Sequence, residues 1–170
     1  MKCSFFFLHV KVSFVFFSET KFLQFFFKQV KLNETGRFEE DFPYLSPCGR
    51  ERNYIRCDDL PIVFTHVIES KEGDKLSIGG SKDLLTVPFE PEKVCMLSET
   101  GRIYHPGPAK ACGVGLIKSS IAIEFSKYFE YEGDSETDPP VWFTWKGTRH
   151  RLTNEVIHLL EHEQMRKTLN

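Results

Sequence analysis

PIVFTHVIESKEGDKLSIGGSKDLLTVPFEPEKVCMLSETGRIYH, residues 61–105, decides the fold class. Its first part, 61–69, is β-branched, aromatic and largely apolar, and reads as a strand. Short apolar segments follow at 75–78, 84–89, 94–97 and 102–105. Between them stand Lys71-Glu72-Gly73-Asp74, Gly79-Gly80-Ser81 and Glu99-Thr100-Gly101, residue types that reverse the chain. Short strands at regular spacing with Gly and Asp turns predict an antiparallel meander whose members pair locally.

Downstream, HPGPAKACG (105–113) is a Pro/Gly loop. Val114, Ile117, Ile121, Phe125 and Tyr128 then make an apolar stripe that predicts a helix over 114–130. EGDSETDPP (132–140) is an acidic linker, and Lys146-Gly147 separates two apolar runs as a hairpin turn. Thr153 or Asn154 caps a terminal helix with Val156, Ile157 and Leu160 inward. Upstream, Phe22, Leu23, Phe26, Phe27 and Val30 predict a helix over 19–32. The stretch 33–59 reads as a long irregular loop with a short strand at 54–57. Together these elements predict an α+β domain over 19–170. Its centre is a curled antiparallel β-sheet or half-barrel, with a pleckstrin-like arrangement as one that fits, packed with two to three helices.

The chain has 170 residues, 41% apolar and 27% charged, with a net charge of −2. That length buries a core without disulfides or metals, and the charge balance argues against general nucleic-acid binding. Five cysteines at long, irregular spacings, with no CxxC pair, read as reduced thiols. Asn33-Glu34-Thr35 fits the glycosylation acceptor pattern, which has meaning only on the secretory path.

Ten of the 17 phenylalanines fall in the first 27 residues. Residues 1–18, MKCSFFFLHVKVSFVFFS, are too short and too interrupted by His9 and Lys11 for a membrane span. They lack a cleavage site for a secretory signal and the arginines of a mitochondrial transit peptide. The Phe and Val clusters suit a buried strand. A truncated or mis-spliced N-terminus is the other reading of this segment.

The richest polar stretch is FPYLSPCGRERNYIRCDD, residues 42–59. Arg50, Arg52 and Arg56, in extended backbone, share a face with Glu51 opposite. Guanidinium forks suit carboxylate or phosphate oxygens. The competing reading is an internal network with Glu39, Glu40, Asp41, Asp58 and Asp59 that ties the loop down. Asn53, His66, Tyr104 and His105 join the arginines as candidate ligand-binding residues. Cys48, beside Gly49 and Arg50, is the one cysteine in an electropositive local setting. As a nucleophile it would need His66 or His105 as base; as a free thiol it is a small hydrophobe.

Cys48, Cys57, His66, His105 and Cys112 lack the two-to-four-residue spacing of zinc ligands, so no metal site is assigned. His158-Leu159-Leu160-Glu161-His162 matches the H-x-x-E-H pattern, but too little chain follows to supply the further carboxylate ligand. It reads as a solvated helix face. No Walker A, GxGxxG or nucleophile-elbow pattern occurs, and no cofactor is identified.

The stretch GRFEEDFPYLSPCGRERNYIRCDDLPIVFTH (36–66) resembles the animal family known as uncharacterised protein family 0598. LTVPFEP (85–91), GRIYHP (101–106) and GVGLIKSSIAIEFSKYFEY (113–131) match it in the same order. The resemblance covers roughly residues 19–152. It implies a mitochondrial protein with no established activity, although residues 1–18 depart from the family's aromatic strand pair and transit-like start. More distantly, the sheet, helix and VW hairpin look like a bacterial family of unknown function with pleckstrin-like domains.

The sequence therefore points to a non-enzymatic binding or adaptor domain. Its recognition surface would be residues 46–59 with His66 and the GRIYHP loop, and its partner a protein or a small anionic ligand. The alternatives are an enzyme using Cys48 or acting on phosphate esters, and a structural subunit of an assembly.

Overall fold

The computed structural model describes residues 3–6, 19–132 and 138–168, with the side chains of 3–6, 162 and 164–168 left aside. Among the described residues, three helices and three sheets make an α+β fold. The strands, mostly antiparallel, form a curled sheet, and none of the sheets closes into a barrel.

The first sheet has the order β1-β4-β3-β2. Its strands are β1 (Cys3–Phe6), β2 (Lys31–Leu32), β3 (Tyr44–Cys48) and β4 (Glu51–Cys57). Between β1 and β2 runs α1 (Glu19–Gln29), whose Phe26 is buried. The predicted irregular stretch 33–59 is thus largely a β-hairpin. Cys48 pairs with Glu51, leaving Gly49 and Arg50 as a two-residue turn. Gly49 takes φ +67 and Arg50 has no positive φ, the arrangement of a type II′ turn with glycine first. The loop before the hairpin is tied down by Asn33. Its buried amide donates from Nδ2 to the Arg37 and Phe42 carbonyls, both at 2.9 Å.

The second sheet has the order β7-β6-β5-β10-β9-β8. Its strands are β5 (Val63–Ile68), β6 (Lys75–Ile78), β7 (Thr86–Pro88), β8 (Cys95–Leu97), β9 (Arg102–Pro106) and β10 (Val114–Ile117). The expected meander holds for β5-β6-β7 and for β8-β9, but the two halves meet through β10. That strand runs parallel to β5 and antiparallel to β9. The helix expected over 114–130 is therefore corrected to β10, then α2 (Ser119–Phe125), then a 3-10 turn at Ser126–Tyr128. All four residues of β10 are buried, because a central strand is covered on both faces and reads as a continuous apolar run. The register shifts between Phe64 and His66; such a bulge sharpens the local bend.

The third sheet is β11 (Phe129–Glu130), β12 (Trp142–Trp145) and β13 (Thr148–Arg151). The expected Lys146-Gly147 turn joins β12 to β13. α3 (Glu155–Thr168) closes the described chain, with Val156 and Leu160 buried as expected.

Two apolar clusters hold these layers. One joins all three sheets through Phe26, Tyr44, Ile55, Phe64, Ile103, Phe125 and Phe143. The other places Leu60, Tyr104, Val114 and Leu116 against Val156 and Leu160 of α3. Tyr104 and Ile103 therefore face opposite sides of β9, as alternate strand residues must.

Candidate functional site

The hairpin's two faces follow from its ladders. Leu32, Tyr44 and Ile55 stand in one cross-strand row and pack into the larger core. Lys31, Leu45 and Tyr54 form the next row on the opposite face, where Lys31 is exposed while Leu45 and Tyr54 are buried. Arg52 and Arg56, two residues either side of Tyr54, belong to that outer face and are exposed. Tyr54 itself is buried between them under Phe38 and Phe42, with ring centroids 5.3 and 6.3 Å away. Arg50 is exposed in the turn at the hairpin tip. Among the described residues, none of Arg50, Arg52 and Arg56 takes part in an ion pair.

The acids expected around them are occupied elsewhere or left to solvent. Glu39 accepts a bond from the Gly36 amide, while Glu40, Asp41 and Asp58 are exposed. Asp59 Oδ2 accepts from Arg102 Nη1 at 2.8 Å and from the Tyr104 hydroxyl at 2.9 Å. This node pins the end of β4 to β9. Burial first, and the Asp59 carboxylate next, push the Tyr104 phenol above its usual range, so it stays a donor. Sequence reading missed Arg102 as the partner of Asp59, since 43 residues separate them and nothing local connects them.

The remaining candidates are scattered. Asn53 Nδ2 donates to the Ser46 carbonyl at 3.0 Å across the hairpin, facing the core side. His66 is exposed on β5, its Nδ1 3.0 Å from its neighbour Thr65 Oγ1. His105 is buried between Phe64 and Phe89. Its Nε2 accepts from the Glu90 amide at 3.0 Å and its Nδ1 donates to the Pro106 carbonyl at 2.9 Å. Burial lowers its pKa, so the ring is a neutral strut between two loops.

Cys48 is half-buried, with Sγ 3.7 Å from Ser46 Oγ. Burial pushes its thiol up, with Glu51 adding to the rise and Ser46 and Asn53 opposing it. A raised thiol carries less thiolate at neutral pH. Among the described residues, no three His, Cys, Asp or Glu side chains gather as metal ligands. His158 is exposed beside Glu161 at 3.5 Å, and the side chain of His162 lies outside the described residues.

Two surface depressions lie apart from the hairpin arginines, one lined in part by Arg102 and the other by Glu161. One, of about 450 Å³, runs between β9, β10 and α2 over Ile103, Ile117, Ala122 and Ile123. The other, of about 240 Å³, runs between β8 and α3 over Met96, Leu97, Ile157 and Leu160. Among the described residues, no helix is long and apolar enough to cross a membrane. No solved structure matches the chain. A family model described as Domain of unknown function (DUF4505) matches residues 5–157, reaching from the Phe-rich start to the first turn of α3, and the chain belongs to that family.

Proposed function

We propose that this is a non-enzymatic binding domain whose β3–β4 hairpin receives anionic groups of a partner on Arg50, Arg52 and Arg56. One observation carries the reading: the three guanidiniums are exposed and outside any ion pair among the described residues, although acidic residues flank them in the sequence. Arg52 and Arg56 sit four residues apart on one strand, so their Cα atoms are about 13 Å apart at the usual strand rise. That spacing suits two separated carboxylates or phosphates better than one small anion. The exposed ring of Phe38, packed on the buried Tyr54 between them, offers an apolar contact. An acidic protein segment supplies both kinds of group. Guanidinium forks hold such oxygens bidentately.

Membership of the 0598 family, and with it a mitochondrial setting, is part of the same proposal; its support is the block resemblance, and fractionation of cells expressing the chain tests the compartment.

The function test is thermal unfolding against small phosphates, carboxylates and acidic peptides. A ligand that binds only the folded state raises the midpoint with its concentration. The expected result is a rise with acidic peptides in the wild type and none in Arg52→Ala/Arg56→Ala, whose own midpoint is unchanged because neither side chain is buried. If that variant melts far below the wild type, the arginines are structural and the reading fails. It fails equally if no anion moves the wild-type midpoint.

A further inference from the structure

A second basic surface lies along α1. Lys21, Phe25 and Lys28 are exposed, and their spacing of four and three residues sets them in one row of the helix. Gln24, within that row, donates from Nε2 to the Leu84 carbonyl at 2.9 Å and so brings the exposed Leu84 alongside. Lys82 and Asp83 in the same turn offset each other's charge. At the other end α1 runs into β2, where Lys31 is exposed. The 3-10 turn Ala109–Ala111 packs on β2 and adds exposed Lys110. Lys28 and Lys31 lie close enough to push the Lys110 ammonium down, in addition to the larger effect of its partial burial.

Among the described residues, none of these four lysines has an ion pair. Lys28 complements the C-terminal dipole of α1, which accounts for one of the four. Lys31 and Lys110 bring like charge from separate elements within reach of Lys28, and an outside anion would relieve that repulsion. Two further features select the kind of anion. Lysine is a flexible point charge and makes no bidentate fork, so it suits a laterally disordered array of phosphates. Phe25 is 45% exposed and Leu84 39% exposed within the same surface, and apolar side chains among lysines enter the headgroup boundary while the lysine stems lie along it. We propose that this face, centred on Lys21, Phe25, Lys28, Lys31 and Lys110, docks the protein peripherally on an anionic phospholipid surface.

The experiment is sedimentation of the full chain with vesicles of phosphatidylcholine plus phosphatidylserine, against pure phosphatidylcholine, at rising salt. Binding should need phosphatidylserine and weaken with salt, as surface electrostatics do. Each lysine removed should weaken it about fivefold, so Lys28→Glu/Lys31→Glu/Lys110→Glu should abolish it; Lys→Gln at the same positions serves if the reversal disturbs folding. Phe25→Ser should weaken it with the charge unchanged. Arg52→Ala/Arg56→Ala should leave it intact, which separates this surface from the hairpin. Failure to bind phosphatidylserine vesicles overturns the proposal. So does binding that survives the lysine changes, or binding lost through the arginines instead.

Discussion

A β-carbon at Gly115 would stand 2.5 Å from Phe64 Cε2 and 2.9 Å from Ile62 Cγ2. Both neighbours are fully buried core side chains, so the collision cannot relax into solvent. Gly115→Ala should lower unfolding stability by about 1–3 kcal/mol, the usual cost of overpacking. Chemical denaturation reads it; an unchanged midpoint would mean that Phe64 can swing aside. In the sequence, Gly115 is half of the pair Gly113-x-Gly115, which lacks the rest of a nucleotide fingerprint. Its reason is packing between β5 and β10, which no neighbouring residue announces. His105 was equally misleading on its own. A histidine beside Pro106 in a Gly/Pro loop suggests an exposed ligand, yet its ring lies between Phe64 and Phe89.

At the scale of elements, α3 is docked by a buried polar contact as well as by its apolar face. The buried Tyr44 hydroxyl donates to Glu163, a carboxylate 5% exposed. Burial first, then the nearby Cys112 and Glu163, pushes the Tyr44 phenol far above its usual range, which keeps it a donor. Tyr44→Phe removes that donor from a buried carboxylate and should cost about 1–3 kcal/mol. Hydrogen exchange should rise in 155–163 more than in the six-stranded sheet; uniform loosening would mean that Tyr44 matters through the core alone. Beside the short strands of 61–105, the elements legible beforehand were α1, α3 and the β12–β13 hairpin. Two elements were misread, for opposite reasons. β10 is buried on both sides, so Val114 and Ile117 looked like part of a helical stripe. β3 and β4 carry Pro47, Arg52 and Arg56 on the face away from the core, so the hairpin looked like a loop apart from the strand expected at 54–57, which lies within β4.

At the scale of the whole molecule, the three-stranded sheet is keyed to the six-stranded one by aromatic packing and by the Asp74 carboxylate. Phe89 and Trp145 meet edge-on at 5.0 Å, and Phe125 and Phe143 lie tilted to each other at 5.4 Å. Asp74, just before β6, accepts from Trp145 Nε1 at 2.8 Å and pairs with Lys146 at 2.9 Å. Burial alone would raise the Asp74 pKa, but the bonds from Lys146 and Trp145 outweigh it and hold it below 3.8. A carboxyl depressed in the folded state binds its proton more readily when unfolded. Its stabilisation is therefore complete above pH 3.8 and fades as pH falls through the lower folded value. Asp74→Asn should be less stable than the wild type at neutral pH, with the gap closing below pH 3.8. Denaturation at a series of pH values checks it; a constant gap would mean that the charge of Asp74 is irrelevant.

From the sequence alone came the α+β class, the helices beginning at 19 and near 155, the short-strand character of 61–105, and a set of arginines at 50–56 whose partners it left open. All are properties of local period, turn chemistry and charge. Only the tertiary structure decided that β10 enters the sheet parallel to β5, that Asp59 belongs to Arg102 and not to the neighbouring arginines, and that lysines from α1, β2 and the 109–111 turn converge. Each of these depends on which distant segments share a face. That choice is made by burial of the core as a whole, because chain closure puts residues far apart in sequence within reach of one charge or one ring.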